Sequence, residues 1–284
     1  MAQRFWTPAK RWWTAAALAI AIAVGALVMW SPWIRFQAHR IPLSGTPFVL
    51  LVQPGVADGE VAAIEDGLRA QDRYLRTVLG QGVTGRVEVR IARNRGCKFG
   101  DSPAGPPTAW ADRGRICVNT KAPGWRTQYR QDTALAAQVV AHEHVHNRQA
   151  ELGCLREPEN QEYLWLVEGM AVHLGFAAMV AAGHWSDAEA AVQLRRWGVT
   201  SPGPQPLKAY EHRSDGDASY ALFWLAVRDL TAKAARPDAL FDFCRLTGSG
   251  TGWREAFTTV FGMPVDTFYA GFEQRRPQLI AAVA

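Results

Sequence analysis

The stretch Trp12–Ile34 contains no charged side chain, and it limits what this chain of 284 residues can fold into more than any other feature. As a helix it would span about 34 Å at ~1.5 Å per residue, enough to cross a hydrocarbon core of ~30 Å. Trp12 and Trp13 stand at one end and Trp30 and Trp33 at the other, where amphipathic rings favour the membrane–water interface. The pattern predicts one transmembrane helix over residues 12–34.

Three basic residues and no acidic residue precede this segment. The basic residues are Arg4, Lys10 and Arg11. Lysine and arginine collect on the cytoplasmic side of a span, so residues 1–11 are predicted to be cytoplasmic and the rest of the chain periplasmic or otherwise extracytoplasmic. A cleaved signal peptide is the alternative, because Ala23 and Gly25 are small. We expect an uncleaved signal anchor, since the apolar run continues past both residues.

The formal net charge of +5 lies largely in that N-terminal segment. Residues 1–34 hold three of the 31 basic residues and none of the 26 acidic residues. The other 250 residues therefore carry 28 basic and 26 acidic residues. A nearly neutral body offers no broad basic surface for phosphates, which argues against a nucleic-acid partner. With 48% hydrophobic residues, the chain is predicted to form one large folded domain or two small ones.

All four cysteines follow the apolar segment, which is compatible with two disulfides in an oxidising compartment. They are Cys97, Cys117, Cys154 and Cys244. Four cysteines allow three pairings, and the sequence leaves the choice open. Because Cys97 and Cys117 bracket one loop, we expect them to pair with each other.

Beyond the span, the sequence predicts a linker at 35–46, a mixed α/β lobe at 47–127 and a helical lobe at 128–284, an α+β fold. In the α/β lobe we expect strands at Phe48–Gln53 and Val87–Ala92, a helix at Asp58–Leu79 with Asp58 as its N-cap, a loop at 93–107, and a hairpin of Thr108–Asp112 and Arg115–Asn119. In the helical lobe we expect helices at Asp132–Leu152, Glu162–Ala182, Asp187–Trp197, Asp217–Ala235, Asp238–Thr247, Trp253–Phe261 and Val265–Ala282.

The first of these helices carries His142-Glu143-His144-Val145-His146, which satisfies the pattern His-Glu-x-x-His. Residues four apart lie one turn apart on the same helix face, so His142 and His146 can reach one metal ion. Glu143 projects about 100° away, close enough to act on a metal-bound water without being a ligand. His144 projects to the far side, and we expect it to be a packed or solvated residue.

A third ligand is needed, because catalytic zinc sites take three protein ligands and leave one position for water. Glu168 is the candidate, since it lies in the apolar segment Trp165–Ala171, where a lone carboxylate is costly unless it is paired or bound to metal. The sequence therefore predicts a zinc site formed by His142, His146 and Glu168.

This motif, followed some twenty residues later by Glu168-Gly169-Met170-Ala171, resembles the gluzincin zinc metallopeptidases, in particular the peptidase MA-like family. The resemblance covers roughly residues 128–275. It implies a thermolysin-like zincin fold and a zinc-dependent peptidase acting on peptide or protein substrates. It also implies that the substrate lies along an edge strand, for which we expect Arg115–Asn119.

The mechanism expected from the motif has Glu143 as general base on a zinc-activated water. Tyr220 or His212 would stabilise the oxyanion, and Tyr220 is preferred. Some gluzincins have an acidic residue four positions after the ligand glutamate, where this chain has Val172. The orienting partner of a ligand histidine is therefore expected elsewhere, at Asn147 or Glu162.

Two other functions stay open at this point. One is a catalytically inactive zincin-fold module that binds a component of the cell envelope. The other is a zinc hydrolase of a non-peptide envelope substrate, which would need the same ligands. The sequence leaves the substrate, the oligomeric state and the choice between endo- and exopeptidase undetermined.

Overall fold

The computed structural model describes residues 38–93, 97, 108–155, 162–196, 198, 205–234, 236 and 238–283. The predicted cytoplasmic N-terminus at 1–11 and the transmembrane helix at 12–34 lie outside the described residues, as does most of the predicted loop at 93–107. The described part combines a five-stranded mixed sheet with helices, which confirms the α+β class.

The sheet has the strand order β1-β2-β3-β5-β4. Its strands are β1 His39–Pro42, β2 Phe48–Val52, β3 Val87–Ala92, β4 Ala109–Asp112 and β5 Arg115–Asn119. The three central strands β2, β3 and β5 pair in parallel, and β1 and β4 are added antiparallel at the two edges.

Strand β1 lies within the segment that the sequence predicts as a linker. All four of its side chains are exposed, so the apolar alternation that marks a strand is missing. It is held by backbone pairing with β2, from His39 opposite Val52 to Pro42 opposite Val49. A proline is tolerated here because this is an edge strand.

The expected hairpin is present, but the expectation that Arg115–Asn119 forms the edge strand is wrong. The turn at Arg113-Gly114, with Gly114 at φ 70°, reverses the chain so that β4 lies outside β5. Strand β5 pairs with β3 on its other side and is mostly buried. The edge strand at this side of the sheet is therefore β4.

The helices follow the predicted segments to within a few residues. They are α1 Asp58–Arg73, continued by a π-helical turn at Tyr74–Val78, α2 Pro123–Gln131, α3 Thr133–Leu152, α4 Leu164–Ala181, α5 Asp187–Arg196, α6 Asp217–Ala234, α7 Ala239–Gly248, α8 Trp253–Phe261 and α9 Val265–Ala281, with a short 3-10 helix at Leu207–Tyr210. Helix α2 and the 3-10 helix were not predicted. The N-cap of α1 is Ala57 rather than Asp58, and its backbone N–H donates to the Glu60 carboxylate at 3.2 Å.

Helix α3 lies at the centre of the molecule, between the sheet lobe and the other helices. It contacts α1, the strands β4 and β5, α4 and α7. Gly67 of α1 permits a close approach, because a Cβ there would lie 2.1 Å from the carbonyl oxygen of Ala137. The helix that carries the His-Glu-x-x-His motif is thus packed on several sides.

Both pairs of cysteines form disulfides, Cys97–Cys117 as expected and Cys154–Cys244. The second ties the chain just after α3 to α7. Two disulfides suit an oxidising compartment.

Among the described residues, α4 is the helix that is long and apolar enough to cross a membrane, with a mean hydropathy of 1.6. Its residues are 67% buried inside the fold, and it packs against α3 and α6 in the middle of the chain. A core helix has the same composition, so this property is weak evidence for a membrane span.

Candidate metal centre

The two ends of α3 are fixed by residues of the expected types. Asp132 is the N-cap, and its carboxylate accepts from the backbone N–H of Ala134 at 2.9 Å. Gly153 ends the helix in the left-handed conformation, with φ 83°. Between these ends the helix is continuous, so His142 and His146 occupy successive turns of one face.

The structure brings the three predicted ligands together. Nε2 of His142 lies 3.0 Å from Nε2 of His146, and Oε2 of Glu168 lies 3.2 Å from the first nitrogen and 3.4 Å from the second. The side chains are 12%, 8% and 16% exposed, respectively. Three donor atoms of the types that bind divalent metals therefore converge on one partly accessible point, and the group could hold a metal ion.

Two glycines of α4, the helix that carries Glu168, let the neighbouring helices approach it closely. At Gly175, a Cβ would lie 3.1 Å from Nε2 of Gln138 and 3.3 Å from the backbone nitrogen of His142. At Gly169, a Cβ would lie 2.7 Å from the carbonyl oxygen of Phe223 in α6. The absence of both side chains allows α3 and α6 to pack closely on the two sides of the ligand helix.

The three candidate ligands form a hydrogen-bonded ion-pair network. Burial lowers the pKa of His146. The charge and the hydrogen bond of Glu168, together with the charge of Glu143 and the hydrogen bond to Gln149, outweigh this effect and raise the pKa to about 9. Burial raises the pKa of Glu168, but His146 and His142 hold it well below the usual range. A metal ion that binds here must displace the proton on His146.

Glu143 lies beside this group without belonging to it. Its side chain is buried, and burial is the main reason that its pKa is raised above the ordinary value, with Glu168 adding to the effect and the two ligand histidines opposing it. A carboxylate with a raised pKa is a better proton acceptor at neutral pH than an exposed one.

The partner that orients His146 is Gln149, and not Asn147 or Glu162 as expected. Nδ1 of His146 lies 2.6 Å from Oε1 of Gln149, whose Nε2 donates to the carbonyl oxygen of Val167 at 2.9 Å. Gln149 thus joins the ligand His146 to the residue before the ligand Glu168. The side chain is fully buried, which fixes this arrangement.

The two residues that the sequence proposed as partners are engaged elsewhere. Asn147 donates to the carbonyl oxygens of Arg115 and Glu143, which connects α3 to strand β5. Glu162 accepts from the indole N–H of Trp253 at 2.7 Å. The signal for Gln149 was its spacing, because a residue three positions after His146 lies on the same face of the helix.

Of the two candidates for the oxyanion donor, Tyr220 lies at the site. Its ring centroid is 6.1 Å from that of His142. The negative charge of Glu168, burial and the charge of Glu143 all raise its pKa well above the ordinary value, so the phenol keeps its proton. His212 is an exposed residue in the loop after the 3-10 helix.

His144 is packed, as expected, and is not part of the metal group. Its ring is fully buried, meets Phe48 edge-on at 4.8 Å and lies 3.8 Å from the carboxylate of Asp72. It joins α3 to the sheet lobe and to α1.

Comparison of the chain with protein-family models and with curated proteins finds no match. The function proposed below therefore rests on the residues of the site.

Proposed function

We propose that this chain is a zinc-dependent peptidase of the gluzincin class. The observation that carries the proposal is the spacing of the three ligand atoms. Two atoms bound to one tetrahedral ion at ~2.0–2.1 Å lie about 3.3–3.4 Å apart. The separations of 3.0, 3.2 and 3.4 Å among His142, His146 and Glu168 are close to that value. Two imidazoles and one carboxylate are a ligand set typical of catalytic zinc.

Zinc held by these residues would supply a Lewis acid for the scissile carbonyl and a water of lowered pKa. The chain's own contribution to proton transfer is Glu143. This carboxylate is adjacent to the ligand His142 on α3, is not itself a ligand and has a raised pKa. It would take the proton of the attacking water and deliver it to the leaving amine.

Tyr220 supports the proposal as a hydrogen-bond donor. It stays protonated because Glu168 and burial raise its pKa. Its hydroxyl hydrogen-bonds to Glu168 and would turn from that carboxylate to an oxygen that gains negative charge.

Strand β4 supports the choice of a peptide as substrate. It is the edge of the sheet on this side and packs beside α3, the helix that carries Glu143. An edge strand offers backbone donors and acceptors to an extended peptide. It would take the role that was expected of Arg115–Asn119.

We further propose that the site works outside the cytoplasm, on a protein anchored by the segment Trp12–Ile34. The two disulfides support an oxidising compartment, and the basic residues before the apolar segment support a cytoplasmic N-terminus.

The test compares the full-length protein, purified in detergent and loaded with zinc, with the variant Glu143→Gln. Each is incubated with a proteome-derived peptide library, and new N-termini are identified by mass spectrometry. Glu255→Gln is the matched control, because it removes an exposed carboxylate on α8. We expect the control to cleave like the wild type and Glu143→Gln to lose about 10²–10⁴-fold in rate. Stoichiometric zinc binding without Glu143-dependent cleavage would overturn the peptidase proposal in favour of a binding module.

A further inference from the structure

A cavity of about 660 Å³ lies away from the metal ligands, between α4, α5, α6 and the residues that follow α9. Its walls are mostly apolar, with Phe176, Leu194 and Trp224 as the large side chains and several alanines between them. The alanines create the space, since larger side chains at the same positions would fill it. Pockets for small molecules have volumes of about 300–1,000 Å³ and the same apolar character.

Three polar side chains line this cavity: His173, Arg228 and Asp187. Nδ1 of His173 is buried and has no hydrogen-bond partner among the described residues. The guanidinium of Arg228 lies 5.1 Å from the ring centroid of Trp224 and forms no ion pair within the described part of the chain. Arg228 is exposed at the mouth of the cavity and His173 is half-buried with its Nδ1 atom inside. A cation stacked on an aromatic wall and a buried ring nitrogen lacking a partner are both groups to which a ligand can bind.

The charge of these groups selects the ligand. Burial and the neighbouring Arg228 lower the pKa of His173 to about 4, so its imidazole is neutral at physiological pH and can donate one hydrogen bond. Arg228 supplies the positive charge, and Asp187, in the first turn of α5, is the acidic group of the lining. A head group with one negative charge complements Arg228, while the alanine-rich wall suits a chain without polar atoms.

We propose that this cavity binds an apolar carboxylate, with the carboxylate on Arg228 and His173 and the aliphatic chain against the alanines and Leu194. The fork of the guanidinium matches a carboxylate with two parallel hydrogen bonds. The site is separate from the metal centre, although both use α4 and α6: Glu168 and His173 are on α4, and Tyr220 and Arg228 are on α6.

The test measures the binding of decanoate to the full-length protein by isothermal titration calorimetry, below the concentration at which decanoate forms micelles. Decyltrimethylammonium, with the same chain and the opposite charge, is the matched probe. We expect decanoate to bind at least about tenfold more tightly, which is the size of effect that a charge-assisted hydrogen bond gives.

Three variants locate the site. Arg228→Gln is expected to weaken decanoate binding about tenfold, while Arg126→Gln, which removes an exposed arginine from α2, leaves it unchanged. Ala191→Phe fills the cavity and is expected to abolish binding, and it tests the site even if Arg228→Gln disturbs folding. Equal binding of the two probes, or decanoate binding that survives both Arg228→Gln and Ala191→Phe, would overturn the proposal.

Discussion

The metal centre contains the buried His146 and the cavity the half-buried His173, and the two histidines have opposite electrostatic surroundings. Burial lowers the pKa of both. For His146 the carboxylates of Glu168 and Glu143 reverse this effect and raise the pKa to about 9. For His173 the nearby charge is Arg228, which adds to burial and lowers the pKa to about 4.

The difference shows that partners, more than depth, decide what a buried histidine can do. Glu168 raises the pKa of His146 and so favours its protonated form, and a metal ion that binds there competes with that proton. His173 is neutral and lacks a hydrogen-bond partner at Nδ1 within the described chain, so it is suited to donating a hydrogen bond rather than to carrying charge. Four predictions test this contrast.

The largest effect is expected from Glu168→Gln, which keeps the volume of the side chain and removes its charge. We expect zinc affinity, measured by competition with a chromophoric chelator, to fall on the order of 10³-fold or more, beyond the 10- to 100-fold typical of losing an outer partner. In the metal-free protein, an NMR titration should show the pKa of His146 falling below about 9, because Glu168 is the chief group that raises it. Unchanged zinc affinity would remove Glu168 from the ligand set.

Tyr220→Phe is expected to lower kcat by about 10²–10³-fold, the range found when one oxyanion donor is lost. Zinc affinity should fall far less than in Glu168→Gln, because Tyr220 is not one of the three ligands and only hydrogen-bonds to one of them. Steady-state kinetics on a peptide identified in the cleavage assay provides the measurement. A variant with wild-type kcat would exclude the tyrosine as the donor.

The pH dependence of the free energy of unfolding tests whether the pKa of His173 in the cavity is lowered. The folded-state pKa of His173, about 4, lies below the ordinary value of 6.5, so the unfolded chain binds more protons between these values. Stability is therefore fully present above pH 6.5 and is lost as pH falls towards 4, by up to roughly 3 kcal/mol from this one group.

The variant His173→Phe should lose that part of the pH dependence. The measurement is the free energy of unfolding by urea at several pH values, with a chelator present so that metal release does not contribute. His39→Gln, which replaces an exposed histidine on β1, serves as the control. If His173→Phe and the wild type show the same slope between pH 6.5 and 4, the low pKa of His173 is refuted.

The smallest effect is expected from Gln149→Ala, which removes the hydrogen bond to His146. Zinc affinity should fall about 10- to 100-fold, as is typical for the partner of a ligand histidine. Gln138→Ala is the matched control: it is a fully buried glutamine on α3 whose amide forms no hydrogen bond with the described residues. The same loss of affinity in both variants would mean that packing of α3, and not the hydrogen bond, holds His146.

Local patterns predicted the helices well. The range Trp253–Phe261 is reproduced residue for residue, and α3 covers Thr133–Leu152 where Asp132–Leu152 was expected. The same patterns missed β1, whose exposed side chains show no alternation, and α2, which begins at a proline. Elements stabilised mainly by backbone pairing or by a single buried tryptophan leave little trace in hydrophobic periodicity.

The residues of the candidate site likewise differ in how far local sequence patterns predict them. His142, Glu143 and His146 were predictable because a single helix sets their spacing, and Glu168 because a carboxylate in an apolar helix needs a partner. Gln149 has i+3 spacing to His146, a signal that the expectation of Asn147 or Glu162 did not use. The cavity left no signal, because His173 and Arg228 are far apart in sequence and meet only when α4 packs on α6.

Features that depend on neighbours along the chain can be predicted from the amino-acid sequence alone: the uncharged segment Trp12–Ile34, the ends of α3 and the shared face of its two histidines. The tertiary structure decided the rest: that β4 and not β5 is the edge strand, that Glu168 lies within 3.4 Å of both histidines, and that Gln149 joins the two ligand helices. The physical reason is that a helix or a turn is set by local hydrogen bonds, whereas strand order and side-chain convergence depend on how distant elements pack.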